Sequence, residues 1–225
     1  MSAQRILLVE GEADRGLYEA LCKSWAITAE VKVSTPRDAG HRHNTKQAIL
    51  QVLPQYLLQL NDGQIQRLGM VMDADSATHG GGFARTLAAL APVLAPHGYQ
   101  PAPVNPPPGQ PAPGLLFAHN DGLHPVGAWF MPNNADEGMV EDWIKACLHP
   151  NEHELMAHAQ TAINQIPGGP KFKPLHRTKA EVATWLAWQA KPEHGLYHAA
   201  QPGLLNEQAP DLVAFRSWLE RVFPG

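Results

Sequence analysis

The sequence predicts an α/β protein: a mostly parallel central sheet flanked by helices, with a helical C-terminal extension. Three observations predict it. Apolar runs and amphipathic stretches alternate from residue 5 to residue 148, as in a sheet whose strands are joined by crossover helices. The first and third runs, ILLV and LGMVM, are continuous rather than alternating, which marks strands covered on both faces. After residue 150 no strand-like run remains and the chain reads as helices. The expected division is an α/β core over 1–150 and a helical extension over 151–225, packed on that core.

Taken in order, residues 5–9 form the first strand. A helix follows from about Asp14, with Leu17, Leu21 and Trp25 four apart on one face. AEVKVST, 29–35, alternates and reads as a second strand. A helix over 45–60 contains Pro54, which should kink or split it. RLGMVMDAD, 67–75, is the central strand, and 83–94 is a helix. The stretch 101–113, PAPVNPPPGQPAP, is too rich in proline for regular structure and reads as an extended loop. GLLFA and VGAWFMP are two further strands, a candidate hairpin. Helices are expected over 136–148, with Met139, Val140, Trp143, Ile144 and Cys147 as an apolar stripe, and over 151–164, 178–190 and 210–223.

Of the 225 residues, 44% are hydrophobic, enough for a sizeable core. No stretch approaches the roughly 18 consecutive apolar residues of a membrane span, and the N-terminus lacks a signal-peptide pattern. A cytoplasmic protein without membrane contact is expected. Two cysteines, Cys22 and Cys147, fall within helical patterns and suggest neither a disulfide nor a zinc site. The formal charge of −4 gives no whole-molecule attraction for nucleic acid. Phosphate binding would need local basic clusters or bound cations. One such cluster is KFKPLHRTK, with Lys171, Lys173, Arg177 and Lys179; RDAGHRH, 37–43, is weaker. A charge run is usually a solvated face, so Lys171, Lys173 and Arg177 are candidates for phosphate contact on composition alone.

Acids recur where strands end. Glu10 closes the first strand, with Asp14 four residues on; Asp73 and Asp75 close the central one; Glu137 and Glu141 follow the strand over 126–132. Ligands in parallel α/β sheets gather at the carboxyl ends of the strands. Magnesium takes hard oxygen donors, usually one or two carboxylates with waters and phosphates. Each pair also has an ordinary reading. Asp14 suits a helix start, Asp73 and Asp75 could cap a turn, and Glu141 could pair with Lys145, four residues on. Three acidic strand ends together favour a cation. The glycine run THGGGF, 78–83, lacks the lysine of a phosphate loop and reads as a mobile loop beside Asp75, a candidate lid. His149, His153 and His158 share a helical segment, but at spacings too loose for a zinc site. His41, His43 and His79 could approach the acidic edge. Trp185 and Trp188 read as packing residues.

VEGEAD followed by VMDADS resembles the Toprim fold, the metal-binding domain of topoisomerases, primases and the overcoming-lysogenization-defect nucleases. WFMPNNADEGMVEDWI and TKAEVATWLAW narrow the resemblance to small stand-alone bacterial Toprim-like proteins related to the nuclease branch. It implies Glu10 as metal ligand or general acid/base, and Asp73 and Asp75 as metal ligands. It implies Asp14 and Glu141 as supporting acids and Lys179 as the lysine that stabilises transition-state charge. The implied activity is Mg²⁺-dependent cleavage of DNA or RNA, with Mn²⁺ as a substitute and a two-ion site suited to the reaction. A second function fits the same residues: a non-catalytic module binding metal, nucleotide or nucleic acid beside a protein partner or a second copy of the chain. The chain departs from topoisomerases in lacking a gate domain; Tyr18, Tyr56, Tyr99 and Tyr197 lie in no nucleophile context. A phosphoacceptor receiver also begins like RILLVE, but Gly11 separates the acids here and 50–60 offers no strand-end Asp.

Overall fold

Among the described residues strand and helix alternate as far as residue 101, after which two further strands come with no helix between them. The computed structural model describes residues 4–34, 46–102 and 113–225. The elements in order are β1 (Gln4–Val9), α1 (Glu12–Ser24), β2 (Glu30–Val33), α2 (Lys46–Asn61), β3 (Ile65–Asp73), α3 (Phe83–Leu94), β4 (Tyr99–Pro101), β5 (Leu115–His119) and β6 (Val126–Met131). The helices α4 (Val140–Ala146), α5 (His153–Asn164), α6 (Arg177–Ala187) and α7 (Pro210–Val222) follow. The strands form one sheet in the order β2-β1-β3-β6-β5-β4. β1, β2, β3 and β6 run parallel, and β5 is antiparallel to both β6 and β4. Three carboxyl ends, those of β1, β3 and β6, therefore open side by side on one edge.

Side chains alternate across each strand and feed two apolar layers. Ile6, Leu8, Met70, Met72, Ala128 and Phe130 face α2 and α3, against Ile49, Leu53, Leu57 and Leu90. Leu7, Val9, Val71, Trp129 and Met131 face the other way, onto Leu17, Trp143, Trp185, Phe215 and Trp218. The C-terminal third is thus one of the sheet's two covering layers. Its last helix lies directly on the strands where Gly69 of β3 and Gly127 of β6 are register partners. A Cβ on Gly127 would lie 2.3 Å from Val222 Cγ2 and 3.1 Å from Trp218. Gly127→Ala is expected to cost about 3 kcal/mol by overpacking, measurable by denaturant unfolding.

Several local expectations give way to tertiary context. α2 runs on through Pro54, because its buried residues Ile49, Leu53, Leu57 and Leu60 hold it to the sheet. Tyr99–Pro101 is a short strand paired with β5, not part of a loop. The helix expected from Asp136 starts only at Val140. Gly138 sits at φ 140° and the Asp142 carboxylate accepts from the Met139 N–H at 2.9 Å, closing the helix there. Glu137 is consequently off the helix and shares no face with Glu141. A 3₁₀ segment, Pro192–Ala200, which the sequence does not announce, packs along α1. Cys22 and Cys147 are buried free thiols. No described helix is long and apolar enough to cross a membrane. RDAGHRH, with His41 and His43, and residues 103–112 of the proline-rich stretch lie outside the described residues.

Candidate functional site

Glu10 leaves the end of β1 and turns toward β3, where its Oε1 accepts from the Asp73 N–H at 2.9 Å. Asp73 in turn accepts from the Val140 N–H, the first of α4, at 2.9 Å through Oδ1. Two carboxylates thus tie the end of β1 to that of β3, and the end of β3 to the start of α4. Asp14, in the first turn of α1, and Glu141, in the first turn of α4, come to the same place. Lys179 on α6 reaches across, its Nζ 4.0 Å from Glu141 Oε1. The sequence-predicted residues Glu10, Asp14, Asp73, Glu141 and Lys179 therefore form one cluster.

Their titration follows from burial and mutual repulsion. Burial pushes the Glu10 carboxyl up to about 7, opposed by the Asp73 N–H and Lys46, with Asp75 and Asp14 adding to the rise. Asp73 is raised well above the usual carboxylate range by burial, then by Glu10, Asp14 and Glu141. Asp14 and Glu141 are raised by burial and held back chiefly by Lys179. Burial would lower Lys179, but Glu141, Asp73, Asp14 and Glu10 outweigh it and raise the lysine. The Tyr18 phenol, fully buried beneath these groups, is held protonated by burial and by the four carboxylates. Like charges packed in this way are costly unless a cation or protons neutralise them.

Asp75 stands apart. It lies past the end of β3 in the left-handed region at φ 63°, and this turn aims its carboxylate at Lys46, with Oδ2 and Nζ 2.8 Å apart. Asp-x-Asp thus delivers its acids to two neighbouring places, linked through Glu10. Glu137 accepts from the Ala77 N–H and pins the glycine loop. The Glu141–Lys145 pair does not form: Lys145 is 2.5 Å from Glu181 on α6. Glu181, 4% exposed, thereby clamps α4 to α6, which carry Glu141 and Lys179; within α6 it also takes Arg177, four residues before it, at 2.8 Å. Arg177 is thereby engaged within the chain, while Lys171 and Lys173 are exposed.

Glu10 and Asp75 also line a cleft of about 960 Å³. Lys46, His79, Gly80, Gly81 and Arg85 border it on the side of the loop after β3, and Pro174, Leu175 and Thr178 on the side of α6. A Cβ on Gly81 would stand 2.5 Å from that of Asp75 and 2.7 Å from the Ala74 carbonyl. This close packing accounts for Gly81, and the positive φ of Gly80 and Gly82, 87° and 97°, for its neighbours. The helical histidines do other work: His149 accepts from the Asn151 N–H, and His158 packs on the half-exposed Trp188. Trp185 is buried and donates to Glu152.

Sequence reasoning misses Lys46. No strand-end position or helical spacing marks it; only the fold brings it to Asp75.

Oxygen donors of this kind suit a hard divalent cation. Glu141 Oε2 is buried with no hydrogen-bond partner, an acceptor that a cation would satisfy. Among the described residues, no three His, Cys, Asp or Glu side chains converge as a ready-made metal group. The reason is visible in the bonds: Glu10 and Asp73 each give an oxygen to a backbone N–H, and Asp75 faces Lys46.

The model of a family described as "Protein of unknown function (DUF3226)" matches residues 4–224. No curated protein and no solved structure matches the chain.

Proposed function

We propose that this chain, which belongs to the DUF3226 family, is a divalent-cation-dependent enzyme that cleaves nucleic-acid phosphodiesters, with a Toprim-like core. The observation that carries the proposal is the coupled cluster of Glu10, Asp14, Asp73 and Glu141 beside Lys179 at the carboxyl edge of parallel strands. Supporting the Toprim reading is the placement of VEGEAD and VMDADS at the ends of the adjacent parallel strands β1 and β3.

Asp73, Asp14 and Glu141 would hold Mg²⁺ or Mn²⁺, with Glu10 beside them. When bound, the cation supplies Lewis acidity and charge neutralisation at the phosphoryl oxygens. Glu10, poised near neutral pH, accepts a proton from the attacking water. Lys179, charged and half-exposed, faces the charge that develops on phosphate. Of the cluster, Glu10 lines the cleft that Arg85 borders; a strand lying there would place its phosphate beside Glu10, with Lys171 and Lys173 as outlying contacts. The test is incubation of supercoiled plasmid, single-stranded DNA and a tRNA pool with Mg²⁺ or Mn²⁺. Cleavage of one polymer, abolished by EDTA, is expected; no cleavage of any would refute the activity.

A second reading has one observation in its favour. The carboxylates are turned to backbone and lysine partners rather than converged, as a binding module that needs no turnover could retain them. Mn²⁺ binding without cleavage of any polymer would select it.

A further inference from the structure

We infer that the Lys46 ammonium takes the place of a second divalent cation, so that the site uses one ion rather than two. The inference rests on the metal-dependent reading above and refines it. Lys46 Nζ lies 2.8 Å from Asp75 Oδ2, 3.0 Å from Thr86 Oγ1 and 3.2 Å from the Ala74 carbonyl. Three acceptors exhaust the three donors of an ammonium group. The lysine side chain is 18% exposed and that of Asp75 51%, so the pair opens to the cleft on the side of the acid while the ammonium is enclosed by its three acceptors.

Its partner is fixed just as firmly. Asp75 exchanges two backbone hydrogen bonds with Gly138, at 2.7 and 3.2 Å. Its left-handed turn is packed against Gly81, where no side chain fits. Asp75 is thus a non-glycine residue held at positive φ, and it meets Lys46 in one ion pair at the cleft that Glu10 also lines.

The acids therefore divide into two sets. Asp75 is already neutralised by a covalent part of the chain. Glu10, Asp14, Asp73 and Glu141 gather apart from that pair, with Lys179 4.0 Å from Glu141 Oε1. The buried Glu141 Oε2 there has no hydrogen-bond partner, and one divalent ion would satisfy it. Lys46 is on this account a positioning residue, holding Asp75 and supplying the fixed charge that a second ion would otherwise bring.

The test is the number of Mn²⁺ ions bound per chain, measured by calorimetry and by the electron paramagnetic resonance of free Mn²⁺, with folding checked by circular dichroism. Wild type is expected to bind one ion, and so is Lys46→Arg. Lys46→Met, which frees Asp75, is expected to bind two. Two ions on wild type would overturn the inference whatever the variants do, and so would one ion on folded Lys46→Met. No ion on wild type would instead bring down the metal-dependent reading on which the inference stands.

Discussion

Asp73→Asn is expected to make the cation-free protein about 1–2 kcal/mol more stable while weakening Mn²⁺ binding by about 100-fold. Asparagine keeps the oxygen that accepts from the Val140 N–H, so the cap on α4 survives. What it removes is a charge opposed by burial and by Glu10, Asp14 and Glu141. A residue kept for structure would behave the other way, since losing it would lower stability. The measurement is thermal unfolding of both proteins with and without Mn²⁺, with calorimetric titration for affinity. Wild type gains stability on adding the ion, and the variant does not. A destabilised variant with unchanged Mn²⁺ affinity would reduce Asp73 to a helix cap.

The second large effect is on pH. The Glu10 carboxyl sits at about 7 in the folded chain, against 4.5 for the ordinary group. Between these values the folded state keeps a proton that the unfolded chain has released, so stability falls as pH rises. The contribution is complete below pH 4.5 and gone above pH 7, about 3 kcal/mol for this residue. Asp14, Asp73 and Glu141 are displaced in the same direction and reinforce it. His198, lowered by burial and then by His194 and Lys191, acts oppositely as pH falls below 6.5. Glu10→Gln isolates the carboxylate. Denaturant unfolding at pH 5, 6, 7 and 8 is expected to show a flatter profile for the variant. It should match wild type near pH 4.5 and exceed it at pH 8. Saturating Mn²⁺ recovers the stability that wild type loses at pH 8. Parallel profiles would mean that Glu10 is not the strained group.

How far the sequence reveals this site differs from residue to residue. Glu10 and Asp73 are legible because each ends a continuous apolar run, and parallel strands bring their carboxyl ends together. The placement of Glu141 and Lys179 is a tertiary fact: α4 and α6 meet through the Lys145–Glu181 pair. Spacing alone suggests the wrong pair, Glu141 with Lys145, because an i,i+4 rule cannot see a buried carboxylate arriving from another helix. Asp75 reads as the twin of Asp73, yet its backbone enters the left-handed region and turns it to Lys46. Glu137 reads as helical because nothing local shows that Gly138 and Asp142 delay the helix start. The fold itself is more legible than the site. Burial patterns are repeated along each element, whereas a site depends on single side chains. What the pattern understates is the C-terminal third, whose Phe215, Trp218 and Leu219 complete the core of the sheet rather than extend it.

The central claim is that this carboxylate edge holds a cation for work on phosphodiesters. Single-turnover cleavage of the preferred polymer by wild type and by Asp73→Asn, at equal fold and with Mg²⁺ or Mn²⁺, tests it most directly. A rate that depends on the cation and falls by about 100-fold or more in the variant is the predicted result. Equal rates for the two proteins, or cleavage that persists in EDTA, would contradict it.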